Sequence, residues 1–348
     1  MPDPVLTQAI DAVASGRDLS ADEAGAVLAR IMAGEASEAQ IAGFLIGLRA
    51  KGETVEEVTG LARTMRDLAT PVHTGRDDLL DTAGTGGGRT TFNVSTTAAL
   101  IAAGAGCAVA KHGNRSATSL SGSADVLEAL GARIDLGAEA VADCIHDVGF
   151  GFMFAPAHHQ AMRFVIPVRK ELAVRTIFNF LGPLTNPAGA TRQLIGVSDP
   201  AFLDLIAGAL GRLGVTRALV VSGDDGVDEM SIAGRTQVVE VTGGDGGEAT
   251  IERYGVEPGD VGLPTAAADA VAGGTPQDNA DATRRILAGE AGPPRDLAVL
   301  NAGAAIYAAG AAETLEAGAH AAQAAIDSGA AQRALEAFVA RTQEGAPA

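Results

Sequence analysis

The chain has 348 residues, 47% of them apolar, and a formal charge of -18, the composition of a soluble globular protein with room for two domains or one large domain and an appendage. That charge argues against a general nucleic-acid or acidic-membrane binder, because phosphates would be repelled over most of the surface. Two cysteines in apolar surroundings, Cys107 and Cys144, point to reduced thiols in a cytoplasmic protein, with neither a disulfide framework nor metal spacing. The N-terminus lacks the basic and apolar regions of a signal peptide. The longest weakly polar run, Ala98 to Ala110, is too short and too broken by glycine to span a bilayer.

Residues ahead of Pro71 read as a bundle of short helices. Ser20-Ala-Asp-Glu23 is a capping box, followed by Ala24, Val27, Leu28 and Ile31 at helical spacing. Ser37-Glu-Ala-Gln40 repeats the device before Ile41, Phe44, Leu45 and Leu48, and Thr54-Val-Glu-Glu57 does so before Val58, Leu61, Ala62 and Met65. Stripes of this kind serve a core or a dimer contact, and no chemistry is assigned to them.

Beyond Pro71, short apolar runs alternate with helical windows. Strands are expected at Leu79–Asp81, Cys107–Lys111, Arg133–Ile134, Gly151–Phe154, Ala218–Ser222 and Val238–Val241, with helices such as Ala124–Leu130, Ala138–Val148 and Ala201–Leu213 between them. That alternation predicts an α/β sheet with helices on both faces. From Asp260 to about Asp278 the composition turns to Gly, Pro, Ala and Asp, a looser surface segment, and Ala-rich helices follow around Leu297–Ala309 and Ala330–Val339.

The chemistry gathers between Asp81 and Leu130. Gly84, Gly86, Gly87 and Gly88 free backbone N–H groups to face an anion without Cβ obstruction. Asn93-Val-Ser-Thr96 then opens a helix at Thr97–Ala103, where Ser95 either faces an anion at the helix start or caps the helix. Lys111-His-Gly-Asn-Arg115 follows an expected strand, a position that lines ligand crevices in open α/β sheets. Lys111 and Arg115 suit phosphate oxygens, Asn114 can offer donor and acceptor to a second substrate, and Ser116, Thr118, Ser119, Ser121 and Ser123 add hydroxyls. His112 is open between a structural and a chemical role. Nothing at a helpful spacing suggests a covalent nucleophile.

Two further clusters stand out. Asp224, Asp225, Asp228 and Glu229 follow the run Ala218–Ser222; they form either a solvated acidic turn or a site for a hard cation such as Mg²⁺, which takes a few carboxylates and completes its shell with water and phosphates. Arg163, Arg169, Lys170 and Arg175 form a basic stretch in an acidic chain. The first three suit a solvated helix face equally well. Arg175 precedes an apolar Ile-Phe run, and its desolvated fork would fit the planar carboxylate of an aromatic acid.

In combination, K-H-G-N-R-S, G-S-A-D-V-L-E-A-L-G, P-V-R-K-E-L, R-T-I-F-N-F-L-G-P-L-T-N-P and D-G-V-D-E-M-S resemble the anthranilate phosphoribosyltransferases, over nearly the whole chain. The resemblance implies a nucleoside phosphorylase/phosphoribosyltransferase-like α/β fold. A small α-helical domain, residues 1–72 with a helical insert about 158–184, accompanies a larger α/β domain with a central, mostly parallel sheet, residues 73–157 and 185–348. It further implies a cytoplasmic homodimer joined through the helical part, without nucleic-acid or membrane partners.

Carried over by motif, the phosphoribosyl pyrophosphate (PRPP) contacts are Gly84, Gly87, Gly88, Thr91, Asn93, Val94, Ser95 and Thr96, then Lys111, His112, Gly113, Asn114, Arg115, Ser116, Ala117, Thr118 and Ser119, with Ser123 beside them. Gly84, Asn114, Arg175 and His112 resemble the anthranilate contacts, and Ser95, Asp228 and Glu229 the Mg²⁺ ligands. The family loop commonly reads G-T-G-G-D-G, whereas G-T-G-G-G-R-T-T-F here is one residue shorter and lacks that Asp, so its role would fall to backbone or to Thr90 and Thr91. The implied reaction, a step of tryptophan biosynthesis, displaces pyrophosphate from the ribose C1 by the anthranilate amine. Lys111 and Arg175 would act by electrostatics and positioning. A pyrimidine-nucleoside phosphorylase shares the architecture, but its lysine-serine-threonine-glycine loop is absent; the other alternative is a relative that binds nucleotide without catalysis.

Overall fold

The computed structural model describes residues 2–116, 119–243 and 248–344. Four helices open the chain: α1 Pro4–Ala14, α2 Ala21–Met32, α3 Glu38–Lys51 and α4 Val55–Asp67. The boxes at Ser20/Glu23 and Thr54/Glu57 close in both directions. The third closes only halfway. Ser37 Oγ accepts the Gln40 N–H at 3.3 Å, but the Gln40 carboxamide turns to the Asp3 backbone, accepting at 3.1 Å and donating at 2.9 Å. Gln40 therefore ties α3 to the start of α1 instead of capping its own helix. Glu57 also does more than cap, accepting the Leu19 N–H at 2.9 Å and pairing with Lys51 at 3.1 Å.

The strands are β1 Leu80–Gly84, β2 Val109–Gly113, β3 Phe150–Phe154, β4 Arg192–Gly196, β5 Arg217–Gly223, β6 Thr236–Thr242 and β7 Thr250–Val256. They form one sheet in the order β3-β2-β1-β4-β5-β6-β7. The first five strands run parallel; β6 and β7 are antiparallel additions. After β1 the chain builds outward through β2 and β3, then returns to lay β4 on the other flank of β1. The order therefore reverses between β1 and β4, where open α/β sheets bind ligands at the carboxyl ends of their strands. In register, Gly84 faces Gly196 across that seam.

One core unites α5 Val94–Gly104 with the C-terminal helices Pro293–Ala308, Leu315–Asp327 and Ala330–Gln343 against one face of the sheet. A second joins the N-terminal helices to Val165, Val168, Ile177 and Phe180 and to the helix Leu203–Arg212 beneath β4 and β5. Burying apolar area at roughly 25 cal/mol per Å² makes these two continuous cores the main source of stability. Cys107 and Cys144 are buried and free. Among the described residues, no helix is long and apolar enough to cross a membrane.

Several elements differ from the sequence expectation. Arg133–Ile134 forms no strand: Ile134 drops into the core while the Arg133 N–H donates to Thr342 Oγ1 at 3.1 Å. The strands β4 and β7 were not expected. β7 is the sheet edge, largely exposed and polar, so it lacks an apolar run. The segment from Asp260 to Thr275 lies on the surface without α-helix or strand, as its composition suggests, but Val261, Leu263 and Val271 anchor it in the core, and a helix capped by Thr275 and Asp278 runs over Pro276–Leu287.

Candidate active site

The floor of the site is the seam between β1 and β4. The segment after β5 turns back over it, and the backbone of Asp228 lies directly on Gly196: a Cβ there would overlap the Asp228 carbonyl, and one on Gly84 would strike the Asp228 carboxylate. Glycine at both strand ends is thus what lets the acidic segment descend. Gly86 and Gly87 continue the turn at φ of +67° and +80°, a region open to glycine at little cost. The Gly86 N–H donates to Asp228 Oδ2 at 2.7 Å, and the Arg89 N–H donates to the Gly226 carbonyl at 2.8 Å. Glycine turn and acidic turn are therefore stitched together.

The four carboxylates separate. Asp224 is exposed and accepts from Gln237 at 2.8 Å, on the β6 side. Asp225 is half-buried with an Oδ1 that finds no partner. Asp228 and Glu229 face the glycine turn, and Thr91 donates its hydroxyl to Glu229 at 2.9 Å. Desolvation raises both carboxyls above the ordinary range, Glu229 well above it with Asp228 as the second cause. Thr91 is fixed by an antiparallel bridge to Ala272.

Asn93 and Val94 begin α5, so the helix starts ahead of Ser95, and Ser95 is not its cap. Ser95 Oγ instead accepts from Lys111 Nζ at 3.3 Å, while Thr96 is buried with an unpartnered hydroxyl. Lys111 is 1% exposed, and its ammonium also donates to the Thr82 carbonyl at 2.5 Å. Desolvation lowers it to about 8, against the pull of Asp81 and Glu229. Asn93 Nδ2 donates to the Ser121 carbonyl at 3.1 Å, and its Oδ1 accepts from Ser121 Oγ at 2.9 Å and from Asn279 at 2.8 Å.

Past Gly113, Arg115 and Ser116 lie against the helix Ser123–Ala129. Ser123 Oγ donates to the Asn114 carbonyl at 3.2 Å, and a Cβ on Gly113 would meet that hydroxyl. Ser116 and Ser119 share a hydroxyl contact at 2.7 Å. Arg115 is exposed, and its guanidinium is taken by Asp125 at 2.8 Å and Glu128 at 2.9 Å. Ala117 and Thr118 lie outside the described residues.

The opposite wall carries Arg175. Its Nη1 donates to Ser198 Oγ at 3.0 Å, its Nη2 to the Gly86 carbonyl at 3.1 Å, and Phe180 backs it at 5.7 Å. It is half-buried beside Gly87. Arg163 instead lies over Phe164 and Arg169 over Phe178. His112 is buried on the other face of β2 from Lys111, with Nδ1 3.3 Å from the Gly182 carbonyl and its ring 5.1 Å from that of His159. Desolvation, then His159, lowers it to about 3, so it is a neutral imidazole near pH 7.

Four residues next to these were not singled out in the sequence. Asp81, fully enclosed, accepts from the His112 N–H at 3.1 Å and from Asn186 at 2.7 Å, bracing β2 from behind. Asn279 steadies Asn93 from the helix Pro276–Leu287, which the sequence reading did not mark. Ser198 follows β4, and an unrecognised strand leaves the loop at its end unmarked. For Asp81 and Asn186 the available signal was a charge on a strand and an Asn before Pro187.

Two carboxylates and a hydroxyl suit Mg²⁺, which is held through one or two carboxylates together with substrate phosphates and water. Among the described residues no three His, Cys, Asp or Glu side chains form an all-protein metal cage. The desolvated pair Asp228 and Glu229 forms no salt bridge among them, an arrangement that a cation would relieve.

Residues 76–332 match the family described as the α/β domain of a glycosyl transferase family, and residues 7–69 match its helical bundle domain. An anthranilate phosphoribosyltransferase of Symbiobacterium thermophilum is 54% identical over 93% of this chain and 94% of its own length. One of Haloferax volcanii is 53% identical over 93% and 96%. The crystal structure of the Thermus thermophilus enzyme superposes with a TM-score of 0.89 at 46% identity, covering 96% of this chain and 99% of that one. The Saccharomyces cerevisiae enzyme, solved in complex with PRPP and Mg, gives 0.87 at 26% identity over 97% and 98%. With a strand order that reverses at the Gly84–Gly196 seam and relatives this similar over nearly its full length, the chain belongs to the anthranilate phosphoribosyltransferase family.

Proposed function

We infer that this chain transfers the phosphoribosyl group of PRPP to the amine of anthranilate, giving N-(5-phosphoribosyl)anthranilate and pyrophosphate in tryptophan biosynthesis. The observation that carries the reading is the meeting of three parts at one turn: Gly86 donates to Asp228 and accepts from Arg175, so diphosphate cradle, acidic pair and acid-binding arginine share one residue. The amine nitrogen forms a bond to the ribose C1 as the C1–oxygen bond to pyrophosphate breaks, and the nitrogen releases one proton to solvent. Positive charge grows on the sugar and negative charge on the leaving group, so fixed electrostatics are the main lever.

In this reading the Gly84–Gly88 turn, through its Gly87 and Gly88 N–H groups, the start of α5 with Asn93, Ser95 and Thr96, and the loop Asn114–Ser123 hold PRPP. Lys111, anchored on Thr82 and Ser95, supplies a buried positive charge for the leaving group. Arg175 grips the anthranilate carboxylate and thereby aims its amine, with Asn114 and the neutral His112 lining the same pocket. Positioning of this kind is worth roughly 7–11 kcal/mol of a barrier. Asp228, Glu229 and Ser95 would hold Mg²⁺, which neutralises diphosphate charge when bound. The yeast relative solved with PRPP and Mg supports that cofactor.

We further propose that residues 1–72 and 158–184 act as the helical domain, supported by their common core. Residues 73–157 and 185–348 form the catalytic domain. The chain pairs through the helical part as a cytoplasmic homodimer, a role for which Ile46, 39% exposed on α3, is available.

The test is direct. Purified protein with Mg²⁺, PRPP and anthranilate should consume anthranilate fluorescence and release pyrophosphate. Absence of turnover would favour a binding relative, and phosphorolysis of thymidine would favour a nucleoside phosphorylase.

A further inference from the structure

We propose that Ser198 is a positioning residue for the acceptor side of the reaction: its hydroxyl clamps the Arg175 guanidinium to the Gly86 turn, so that the arginine presents a fixed edge to the aromatic carboxylate. The inference rests on the reading of Arg175 given above. Three groups close a small hydrogen-bonded triangle. Arg175 Nη1 donates to Ser198 Oγ at 3.0 Å, Ser198 Oγ donates to the Gly86 carbonyl at 3.0 Å, and Arg175 Nη2 donates to the same carbonyl at 3.1 Å. One hydroxyl thus serves as acceptor and donor at once, and removing it leaves both partners short of a bond.

Ser198 is well placed for this task. It stands just beyond β4 at the switch point, where the Val197 N–H is held by the Val221 carbonyl at 2.8 Å and the Ser198 N–H by Thr85 Oγ1 at 3.3 Å. The clamp is therefore built on strand ends, which hold a site more tightly than free loops do. The arginine is anchored at its other end as well, since Arg49 donates to the Arg175 carbonyl at 2.8 Å. A guanidinium has five N–H donors in a planar fork. With two directed at Ser198 and Gly86, the others stay available for a carboxylate, and the long side chain has already lost the rotamer freedom that binding would otherwise cost. Because the Gly86 N–H holds Asp228, the clamp also sets the arginine in register with the acidic pair.

Steady-state kinetics of Ser198→Ala, Ser198→Thr, Arg175→Ala and the Ser198→Ala/Arg175→Ala double variant test the proposal. Ser198→Ala should raise KM for anthranilate roughly five- to tenfold, leaving KM for PRPP and the thermal midpoint as in the parent chain. Ser198→Thr, which keeps the oxygen, should restore most of the loss. In the Arg175→Ala background, Ser198→Ala should add nothing. Parent-like anthranilate KM in Ser198→Ala, alongside a raised KM in Arg175→Ala, would overturn the positioning role and leave the functional reading intact. Effects that multiply in the double variant, or equal losses for both substrates with a lowered thermal midpoint, would overturn it too. An Arg175→Ala protein with unchanged anthranilate KM would remove the arginine assignment and this inference together.

Discussion

Lys111 Nζ sits 2.5 Å from the Thr82 carbonyl oxygen and, among the described residues, forms no salt bridge. A fully enclosed ammonium held only by neutral oxygens is costly, and desolvation lowers it to about 8. Two opposite pH trends follow. Between about 8 and the ordinary 10.5 the unfolded chain binds more protons at this site than the folded one, so its contribution to stability rises with pH across that window. Below about 8 both states are charged and the full penalty is present. With Lys111 in the leaving-group role proposed above, kcat/KM for PRPP should fall as pH rises through about 8. Lys111→Met should abolish that limb along with most PRPP affinity, and flatten the stability trend. A pH-rate profile with no decline across the window would remove Lys111 from the leaving-group site.

Glu229 pairs function against stability in the opposite sense. Its carboxyl is raised well above the ordinary 4.5, first by desolvation and then by Asp228. A raised acid keeps its proton in the fold after the unfolded chain has lost it, so stability declines as pH climbs from 4.5 through the folded value. Without metal at neutral pH, Glu229→Gln should therefore stabilise the protein, by roughly 0.5–2 kcal/mol as is common for relieved functional strain. The same substitution should raise the Mg²⁺ concentration for half-maximal activity. Denaturant midpoints in chelator and a Mg²⁺ titration read the two effects. If chelator-treated protein gains nothing and the titration stays put, Glu229 is not a metal-directed carboxylate.

These charges explain what could be read from the residues and what could not. The capped helices of the N-terminal bundle were legible because cap and stripe are local signals, and Gln40 misled only because Asp3, far away in sequence, competed for its side chain. The glycine turn, Lys111 and the Asp228–Glu229 pair stood out against the composition around them, and the fold brings the turn and the pair together at the β1–β4 seam. The strand β4 was not. Arg-Gln-Leu-Ile-Gly is five residues with no alternation, since β4 lies between β1 and β5 and is buried along nearly all its length. Losing that strand hid both the switch point and Ser198, because a topology cannot be written with its central return missing. Asp81 and Asn186 escaped for another reason: they act from behind β2, and only the fold brings them together.

Gly196 is where the fold and the chemistry press hardest on each other. Its neighbour across the seam is Gly84, and the Asp228 carbonyl occupies the space that any Cβ at 196 would need. The obstacle is backbone, so no side-chain rotation can relieve it. Two responses are open to a Gly196→Ala protein: β4 can shift in the sheet, or the 224–229 turn can lift. The sheet is held on both sides by β1 and β5 and by two continuous cores, whereas the turn is held by hydrogen bonds to Gly86, Arg89, Thr91, Arg235 and Gln237 and by the one buried side chain of Val227. The turn should therefore yield, carrying Asp228 away from the Gly86 N–H and Glu229 away from Thr91. A displacement near 1 Å at a reacting centre costs on the order of a hundredfold in rate. Gly196→Ala should accordingly lose about a hundredfold in kcat/KM and demand more Mg²⁺, while its urea midpoint moves far less than activity does. Activity retained in a normally folded Gly196→Ala protein would mean that the acidic turn need not rest on the β1–β4 seam for the reaction to proceed.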